Sequence, residues 1–237
     1  MTEGANPAVM QVRRRMIGKR RTRRVVTAAL VVVVLLTAGW VVGFSSAFSV
    51  RQVTVDGASI VTVDEVRAAA AIPAGQPLAL VRDADVANRI TAAIPAVASA
   101  TVSRRWPSTL VIHVMERAIV YEVLQAGGYG WVSADGVMFN TSADAQPVPT
   151  VTVPTSDQAL LTDVATVVQA IPASVAPDVT SLAAQTRDSI TLQLSGGRQV
   201  VWGSADQSEL KAQVLVALLD VPGTVYDISS PSNPAVR

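Results

Sequence analysis

The pattern of apolar and polar residues predicts a small unit of order β-α-α-β-β over residues 48–117. FSVRQVTVDG alternates valines with polar residues and ends in Asp-Gly, which is typical of a strand followed by a turn. VTVDEVRAAAAIPAG begins with Thr62 and Glu65 at capping-box spacing, and RDADVANRITAAIP repeats Val86 and Ile90 at helical spacing. VASATVSRR and TLVIHVMER then predict paired strands joined by Trp-Pro-Ser.

Residues 118–230 carry the pattern of a second, sheet-rich unit. IVYEVL, YGWVSA and GVMFN indicate short strands with Asp-Gly as a hairpin turn, and SITLQL with RQVVWG predicts another hairpin. QPVPTVTVP is interpreted as a proline-punctuated connector, and TVYDIS as a last short strand. Residues 231–237, rich in Ser, Pro and Asn, are expected to form a flexible C-terminal tail.

Two amphipathic helices are predicted inside this second unit. DQALLTDVATVVQAIP has apolar residues at helical spacing behind Ser156, and Pro172 ends it. SADQSELKAQVLVALLD starts with Ser204 and Gln207, which we interpret as a capping box. Its residues expected to face the core are Leu210, Val214, Leu215 and Leu218.

Residues 25–44 form an uncharged apolar run between a basic segment and the strands. A bilayer core needs about 20 residues of helix, whereas the apolar region of a cleaved signal peptide has roughly 7 to 15. The length of this run therefore favours a membrane anchor. A cleaved signal peptide is the alternative, because Ser45, Ser46 and Ala47 place small residues where a signal peptidase cuts.

The charges that flank the apolar run predict its orientation. Only Arg51 follows it closely, so the positive-inside rule places residues 1–24 in the cytoplasm and the remainder outside. The basic residues that carry this topology signal are Arg13, Arg14, Arg15, Lys19, Arg20, Arg21, Arg23 and Arg24.

The composition of the remaining chain argues against catalysis and nucleic-acid binding. Residues 1–24 carry a net charge of +7 and the whole chain +1, which leaves −6 for residues 25–237 and no polybasic face for nucleic acid. There is no cysteine, and the single histidine, His113, has no partner in the sequence with which to form a base or a metal site. We therefore predict a protein that is not an enzyme and takes no cofactor, metal or small-molecule substrate.

Several motifs together resemble the FtsQ/DivIB family of bacterial cell-division proteins. They are FSVRQVTVDG, GQPLAL, WVSADGVMF, the helix WGSADQSELKAQVLVALL and, most specifically, RRWPSTLVIHVMER at residues 104–117. The resemblance covers essentially the whole chain after the basic tail. It implies an α+β fold in which a single transmembrane helix precedes a POTRA domain and then a β-domain, a mixed α/β unit with a sheet rich in antiparallel strands.

The family resemblance also implies the function. Such proteins are bitopic, non-enzymatic scaffolds of the divisome, held in the inner membrane at the division septum with the C-terminus outside. They contact other bitopic proteins of the FtsB and FtsL type and, through them, the septal peptidoglycan synthases. The alternative is a POTRA-containing component of protein secretion or outer-membrane assembly.

The segment RRWPSTL has both a structural and a functional interpretation. In the structural one, Trp106 covers the end of the hairpin, Pro107 fixes the turn, and Glu116 with Arg117 forms an ion pair where the strand ends. In the functional one, the same residues form a binding site.

A partner-binding site is predicted at the last strand, because an edge strand leaves backbone groups unpaired for strand addition. Within it, Tyr226 offers a large amphipathic surface, and Lys211 on the preceding helix is expected to meet an acidic partner residue. The family resemblance points to the same region as the place where the FtsB segment binds. In the alternative, Val225 and Ile228 only close the core of the domain. The predicted partner-binding residues are Lys211, Thr224, Val225, Tyr226, Asp227, Ile228, Ser229 and Ser230.

The membrane-anchor interpretation predicts a protein that stays uncleaved, with a C-terminal part that a protease added outside digests. Mass spectrometry should find the original N-terminus, whereas a mature N-terminus at Phe48 would rule the anchor out. Replacing Leu35 with Arg should impair insertion by about 2.5 to 3.5 kcal/mol, the cost of a charge at the centre of the span.

Overall fold

The structure, a computed structural model, describes residues 23–37, 39–41 and 46–237. Helix α1, Arg23–Val41, has a mean hydropathy of 2.2 and is, within the described residues, the one helix long and apolar enough to cross a membrane. Of the predicted topology signal, Arg23 and Arg24 lie in its first turn. The other six basic residues lie outside the described residues.

The first folded unit has the predicted order of elements. It consists of β1 Gln52–Asp56, α2 Val63–Ala70, α3 Asp83–Ala93, β2 Val97–Arg105 and β3 Thr109–Glu116, with short 3-10 turns at Ser46–Phe48 and Leu78–Leu80. The sheet order is β1-β3-β2. Strand β3 is central, parallel to β1 and antiparallel to β2, which is the arrangement that a crossover through two helices allows.

The helices of this unit begin where the sequence predicts. Thr62 and Glu65 form the capping box of α2, with both reciprocal hydrogen bonds present. Helix α3 has no side-chain cap, but Asp83 and Asp85 lie in its first turn, where negative charge is favourable. Both helices cover one face of the sheet. The fully buried residues of the resulting core are Val66, Ala70, Leu78, Ile90, Leu110 and Ile112.

The second unit is built around one mixed sheet of nine strands. Its strands are β4 Tyr121–Gln125, β5 Gly128–Val132, β6 Met138–Ser142, β7 Thr150–Thr152, β8 Val179–Ala183, β9 Ile190–Leu194, β10 Arg198–Gly203, β11 Val225–Asp227 and β12 Ala235–Val236. The order across the sheet is β12-β11-β10-β9-β8-β7-β4-β5-β6. Helices α4 Gln158–Ala170 and α5 Ser208–Leu218 pack against it. The chain is therefore an α+β protein with a second sheet rich in antiparallel pairs, as predicted.

Strands β7 and β8, which are neighbours in the middle of this sheet, were not predicted. QPVPTVTVP, interpreted as a connector, contains β7, which pairs in parallel with both β4 and β8. Strand β7 has only three residues, and its Val151 is fully buried. Thr150 is half-buried and Thr152 exposed, so β7 does alternate polar and apolar residues, but three residues between prolines are too few to establish a period. The start of α4 also differs, because Asp157 and not Ser156 caps its N-terminus.

Glu116 and Arg117 at the end of β3 contact other residues and not each other. The Glu116 carboxylate accepts hydrogen bonds from the backbone N–H groups of Ser59, Ile60 and Val61 at 2.8 to 2.9 Å, which fixes the loop before α2. Burial alone would raise the pKa of Glu116, but these three N–H groups lower it overall. The predicted ion pair between Glu116 and Arg117 is therefore wrong.

Arg117 joins the two units. Its Nε donates to the carbonyl of Pro95 at 2.8 Å, and its guanidinium forms an ion pair with Asp135 in the β5–β6 turn. Burial opposes ionisation of Asp135, yet hydrogen bonds from Ser133 and Arg117 lower its pKa overall. The turn itself lies close to α4, since a Cβ on Gly136 would come within 2.5 Å of the Thr162 backbone nitrogen. The end of β3 is thereby connected to the second sheet.

Replacing Glu116 with Gln should lower the free energy of unfolding at neutral pH by about 1 to 2 kcal/mol, because hydrogen bonds to a charged acceptor are stronger than those to a neutral amide. Since the pKa of Glu116 is lowered in the folded state, its contribution is present above its ordinary pKa of 4.5 and is lost as the pH falls below it. Urea denaturation of the full chain in detergent, followed by tryptophan fluorescence, measures both effects. The exposed Asp220→Asn is the control, with an expected change within about 0.5 kcal/mol. A deficit that persists unchanged at pH 3 would contradict this account.

Candidate functional site

The predicted partner-binding region lies where β10, α5 and β11 meet at one end of the second sheet. Gly203, the last residue of β10, has φ +77°, and a Cβ there would lie 2.9 Å from the Cβ of Ser229. Glycine thus allows the chain to turn sharply beside β11. The chain then enters α5 through Gln207, which adopts a left-handed conformation and makes no side-chain cap. The predicted capping box of Ser204 and Gln207 is therefore wrong.

Trp202 connects β10 to the first turn of α5. Its side chain is fully buried, and its Nε1 donates to the Ser208 Oγ at 3.1 Å. The Ser208 hydroxyl in turn donates to the carbonyl of Ala205 at 2.7 Å. The polar atom of this large side chain is satisfied, so Trp202 belongs to the core and not to an exposed binding surface.

The buried face of α5 is rotated from the one predicted. Its buried residues are Ser208, Lys211, Ala212 and Leu215, while Leu210 is 46% exposed and Val214 and Leu218 are half-buried. The prediction that Leu210 faces the core is therefore wrong. On a helix of 3.6 residues per turn, neighbouring residues point about 100° apart, so an error of one position moves a residue from the core to the surface.

Lys211 is one of the largest fully buried side chains, with 1% of its surface exposed. Its Nζ donates to the carbonyl of Ser204 at 2.8 Å. Burial lowers the pKa of Lys211, and the nearby carboxylates of Asp206 and Asp188 partly oppose that shift. The Lys211 ammonium group is therefore buried and hydrogen-bonded within the domain. This corrects the prediction that Lys211 meets an acidic residue of a partner.

Strand β11 is not the edge of the sheet. It pairs in parallel with β10, and its other side pairs with β12 in antiparallel register, Tyr226 opposite Val236 and Asp227 opposite Ala235. The pairing extends to Arg237, which accepts from the N–H of Val225 and donates to the carbonyl of the same residue, both at 2.9 Å. The backbone groups predicted to be free on β11 are thus occupied by residues 235–237. The flexible tail predicted for residues 231–237 is, in its last part, a paired strand.

The side chains of residues 224–230 alternate as a strand requires. Tyr226 and Ile228 are buried, and the Tyr226 hydroxyl donates to the carbonyls of Val221 and Gly223 at 3.0 and 3.1 Å. Tyr226 is therefore a core residue and not the exposed anchor that was predicted. On the other face Val225 and Asp227 are half-buried. The exposed residues are Thr224, Ser229 and Ser230.

The edge of the sheet is instead β12, a strand of two residues. Ala235 is exposed and Val236 is half-buried against the core. An Arg237 guanidinium nitrogen lies 3.7 Å from the carboxylate of Asp227, which adds a partly exposed ion pair. The sequence does not predict this strand, because two apolar residues after a Ser- and Pro-rich stretch do not establish a period.

Helix α5 and the residues after it carry exposed apolar side chains. Leu210 and Val216 lie on the outer face of α5, and Val221 follows the helix next to the Tyr226 hydroxyl. None of the described residues near this edge forms a nucleophile with a base, and the described part of the chain has no group of three His, Cys, Asp or Glu side chains placed to hold a metal. The site offers paired backbone, apolar surface and hydroxyl groups, which are the features of a protein-binding surface.

Replacing Trp202 with Ala should cost about 3 to 5 kcal/mol of folding free energy, because it leaves a large cavity under α5 and leaves the Ser208 hydroxyl without its donor. Trp202→Phe, which keeps most of the volume and loses only the hydrogen bond, should cost roughly 1 kcal/mol. Urea denaturation of the full chain in detergent measures both variants. Equal costs for the two would show that packing is not what Trp202 contributes.

Comparison with known proteins finds two family matches that together span most of the chain. Residues 48–117 match the POTRA domain of FtsQ type. Residues 122–228 match the C-terminal domain of the cell division protein FtsQ/DivIB. The first match covers the three-stranded unit, and the second runs from the start of β4 through β11.

Individual proteins are similar over the same region. The cell division protein FtsQ of Streptomyces bingchenggensis is 38% identical over 209 residues, which are 83% of this chain and 79% of that protein. Those of Mycolicibacterium smegmatis and Mycobacterium leprae are 40% and 38% identical over 84% of this chain, which spans 60% and 59% of their lengths.

One solved structure is also similar, the major extracytoplasmic domain of the cell division protein DivIB from Geobacillus stearothermophilus. The identity is 16% and the TM-score 0.35, over 45% of this chain and 96% of that one. The sequence matches, and not this superposition, carry the assignment.

Proposed function

This chain belongs to the FtsQ/DivIB family of bacterial cell-division proteins, a non-enzymatic family, and we propose that it acts as a bitopic scaffold that binds other division proteins outside the cytoplasm. Helix α1 is the anchor, and residues 48–117 and 118–230 form the POTRA domain and the β-domain. Membership of the family supports a location at the division septum. The proposed partners are bitopic proteins of the FtsB and FtsL type and, through them, the septal peptidoglycan synthases.

The charge distribution around α1 supports an orientation with the N-terminus in the cytoplasm. Arg23 and Arg24 begin the helix, and six further basic residues precede them in the sequence. Cytoplasmic flanks of membrane spans carry such an excess of Lys and Arg. Both folded units follow the helix in the chain, so this orientation places them outside the cytoplasm.

The β12 end of the second sheet is the proposed partner site. The observation that carries the proposal is that β11 has a complete hydrogen-bonding edge that is occupied only by residues 235–237. An incoming strand offers the same main-chain hydrogen bonds over a greater length. We propose that the partner strand takes the place of β12 beside β11.

The pairing of β11 with β12 is short enough to be replaced. Hydrogen bonds from the N–H groups of Thr224 and Val225 both end on the Arg237 carbonyl, and the strand itself has two residues. Isolated two-stranded pairings of this length are marginal in water. A partner that binds only the open form loses apparent affinity in proportion to the fraction of open molecules.

Specificity would come from the side chains that border β11. Val225 and Asp227 are half-buried on the face opposite Tyr226, and the exposed Leu210, Val216 and Val221 extend the apolar surface onto α5. A partner segment with a strand followed by an amphipathic helix fits this combination of edge and helix face. Tyr226, Ile228 and Lys211 contribute by holding the edge in place from the core.

Removing residues 231–237 should therefore tighten binding of the FtsB-type partner by about tenfold, because the competing strand is lost. Asp227→Pro should weaken binding at least about tenfold, since antiparallel alternation directs the Asp227 N–H toward β12, and proline removes that donor. The measurement is titration of the full chain, in nanodiscs, with the partner protein of the same organism. The control is Ser181→Pro on the central strand β8, which should impair folding instead of binding alone.

Results opposite to these two expectations would contradict the proposed partner site at β11. Weaker binding after removal of residues 231–237 would mean that the partner needs β12 or binds to its outer edge. Unchanged affinity of a folded Asp227→Pro variant would place the partner site elsewhere, most simply on the POTRA domain. Loss of midcell localisation in cells that lack the other division proteins tests the scaffold role separately from the site.

A further inference from the structure

The parallel pairing of β1 with β3 places the β2–β3 turn at the end of the POTRA domain that follows the membrane helix. Gln52, the first residue of β1, is opposite Thr109, the first residue of β3. The backbone N–H groups of Arg51 and Gln52 both donate to the Ser108 carbonyl. The hairpin turn therefore lies beside the point at which the chain enters the domain.

Two large apolar side chains are exposed at this end. Trp106 is 49% exposed although its ring contacts Phe48 edge to face, with 5.9 Å between the ring centroids. Leu80 is 58% exposed. The segment that carries Leu80 is held here by backbone pairing of Ser49 with Pro77 and by Arg104, whose guanidinium donates to the carbonyls of Leu78 and Val81. We call Phe48, Leu80 and Trp106 the apolar tip.

The charges around the apolar tip have a positive excess. Arg51, Arg82 and Arg105 have exposed side chains. Of the acidic residues nearby, Asp83 forms an ion pair with Arg104 at 3.0 Å, and Asp85 lies 3.7 Å from Arg82. Arg105 has no acidic partner among the salt bridges of the described residues. An aromatic and an aliphatic side chain surrounded by arginines suit a lipid headgroup layer.

The length of the chain keeps the apolar tip close to the bilayer. Six residues separate Val41, the last residue of α1, from Phe48, and the seven steps from one Cα to the next reach at most about 25 Å at full extension. The apolar run itself ends at position 44, so Phe48 follows the end of the predicted span by four residues, or about 13 Å at full extension. Because the turn contacts Phe48, the same limit applies to Trp106.

We propose that the apolar tip rests on the outer leaflet, with Trp106 and Leu80 in the headgroup layer and the neighbouring arginines beside lipid phosphates. This proposal rests on the membrane anchor and orientation proposed above. The contact adds a second attachment of the POTRA domain to the membrane, besides the chain that connects it to α1. It would therefore set the tilt of that domain and the distance from the membrane at which the β-domain presents β11.

Fluorescence quenching by headgroup-labelled lipid tests the proposal directly. The full chain has no cysteine, so one cysteine at the exposed Ala79, beside Leu80, carries a fluorophore on the tip, and one at Ala126 in the β4–β5 turn carries it on the β-domain. Both proteins are placed in nanodiscs of phosphatidylcholine and phosphatidylglycerol that contain a phospholipid with a nitroxide on its headgroup. We expect strong quenching at position 79 and background quenching at position 126.

Variants then identify the residues responsible. Trp106→Ser combined with Leu80→Ser should abolish the quenching at position 79. Met115→Ser is the matched control, because Met115 is 61% exposed at the opposite end of β3, and it should change nothing. Arg105→Gln should lower the population in contact by about fivefold in anionic nanodiscs, equivalent to the ~1 kcal/mol of one basic residue at such a surface.

The outcomes are distinguishable from those of the anchor proposal. Failure of the chain to incorporate into nanodiscs would overturn the anchor. Incorporation with equal quenching at positions 79 and 126, or with quenching that the double serine variant does not reduce, would overturn the contact of the apolar tip with lipid while leaving the anchor intact. If Arg105→Gln leaves the quenching in anionic nanodiscs unchanged, Arg105 does not contact lipid phosphates as proposed.

Discussion

The parallel pairing of β1 with β3 is the constraint on which the arrangement of the whole chain depends. Parallel neighbours cannot be joined by a tight turn, so the chain has to cross over through α2 and α3 and return through β2. The same pairing puts the first residues of both strands at one end of the sheet. The last residues of β3 are then at the other end, roughly 26 Å away for eight residues of strand.

The two ends of β3 consequently contact different parts of the protein. At the start, the hairpin turn with Trp106 lies beside Phe48, which follows the membrane helix. At the end, the Glu116 carboxylate accepts hydrogen bonds from three backbone N–H groups, and Arg117 forms an ion pair with Asp135 of the second unit. The most family-specific segment of the sequence, RRWPSTLVIHVMER, is thus one hairpin that connects the entry of the domain to its exit. Its glutamate and arginine have structural explanations, as the sequence suggested, although with different partners.

In the β-domain the elements beside the last edge are fixed by buried polar contacts, whereas the edge strand itself is short. Trp202, Lys211 and Tyr226 are buried, and each satisfies its polar atom inside the domain, which holds β10, α5 and β11 in a fixed arrangement. Against that fixed edge lies β12, whose pairing is two residues long. A rigid edge with a weakly held neighbour is suited to exchanging that neighbour for a longer strand. The core residues therefore matter to the proposed binding site without facing the partner.

Local patterns and motifs in the sequence are sufficient to identify most secondary-structure elements and the family. The length of an uncharged apolar run located α1, and periodicity, caps and turn residues located the β-α-α-β-β order and both hairpins of the second unit, because these features depend on residues close together in the chain. The sequence did not reveal β7, whose three residues are too few to establish a period, nor the inward position of Lys211, which depends on where α5 begins. It also assigned β11 to the edge, since nothing local shows that residues 235–237 pair with it. Only the tertiary structure decided these points, because hydrogen bonding between distant strands and burial of a side chain depend on neighbours far away in the sequence.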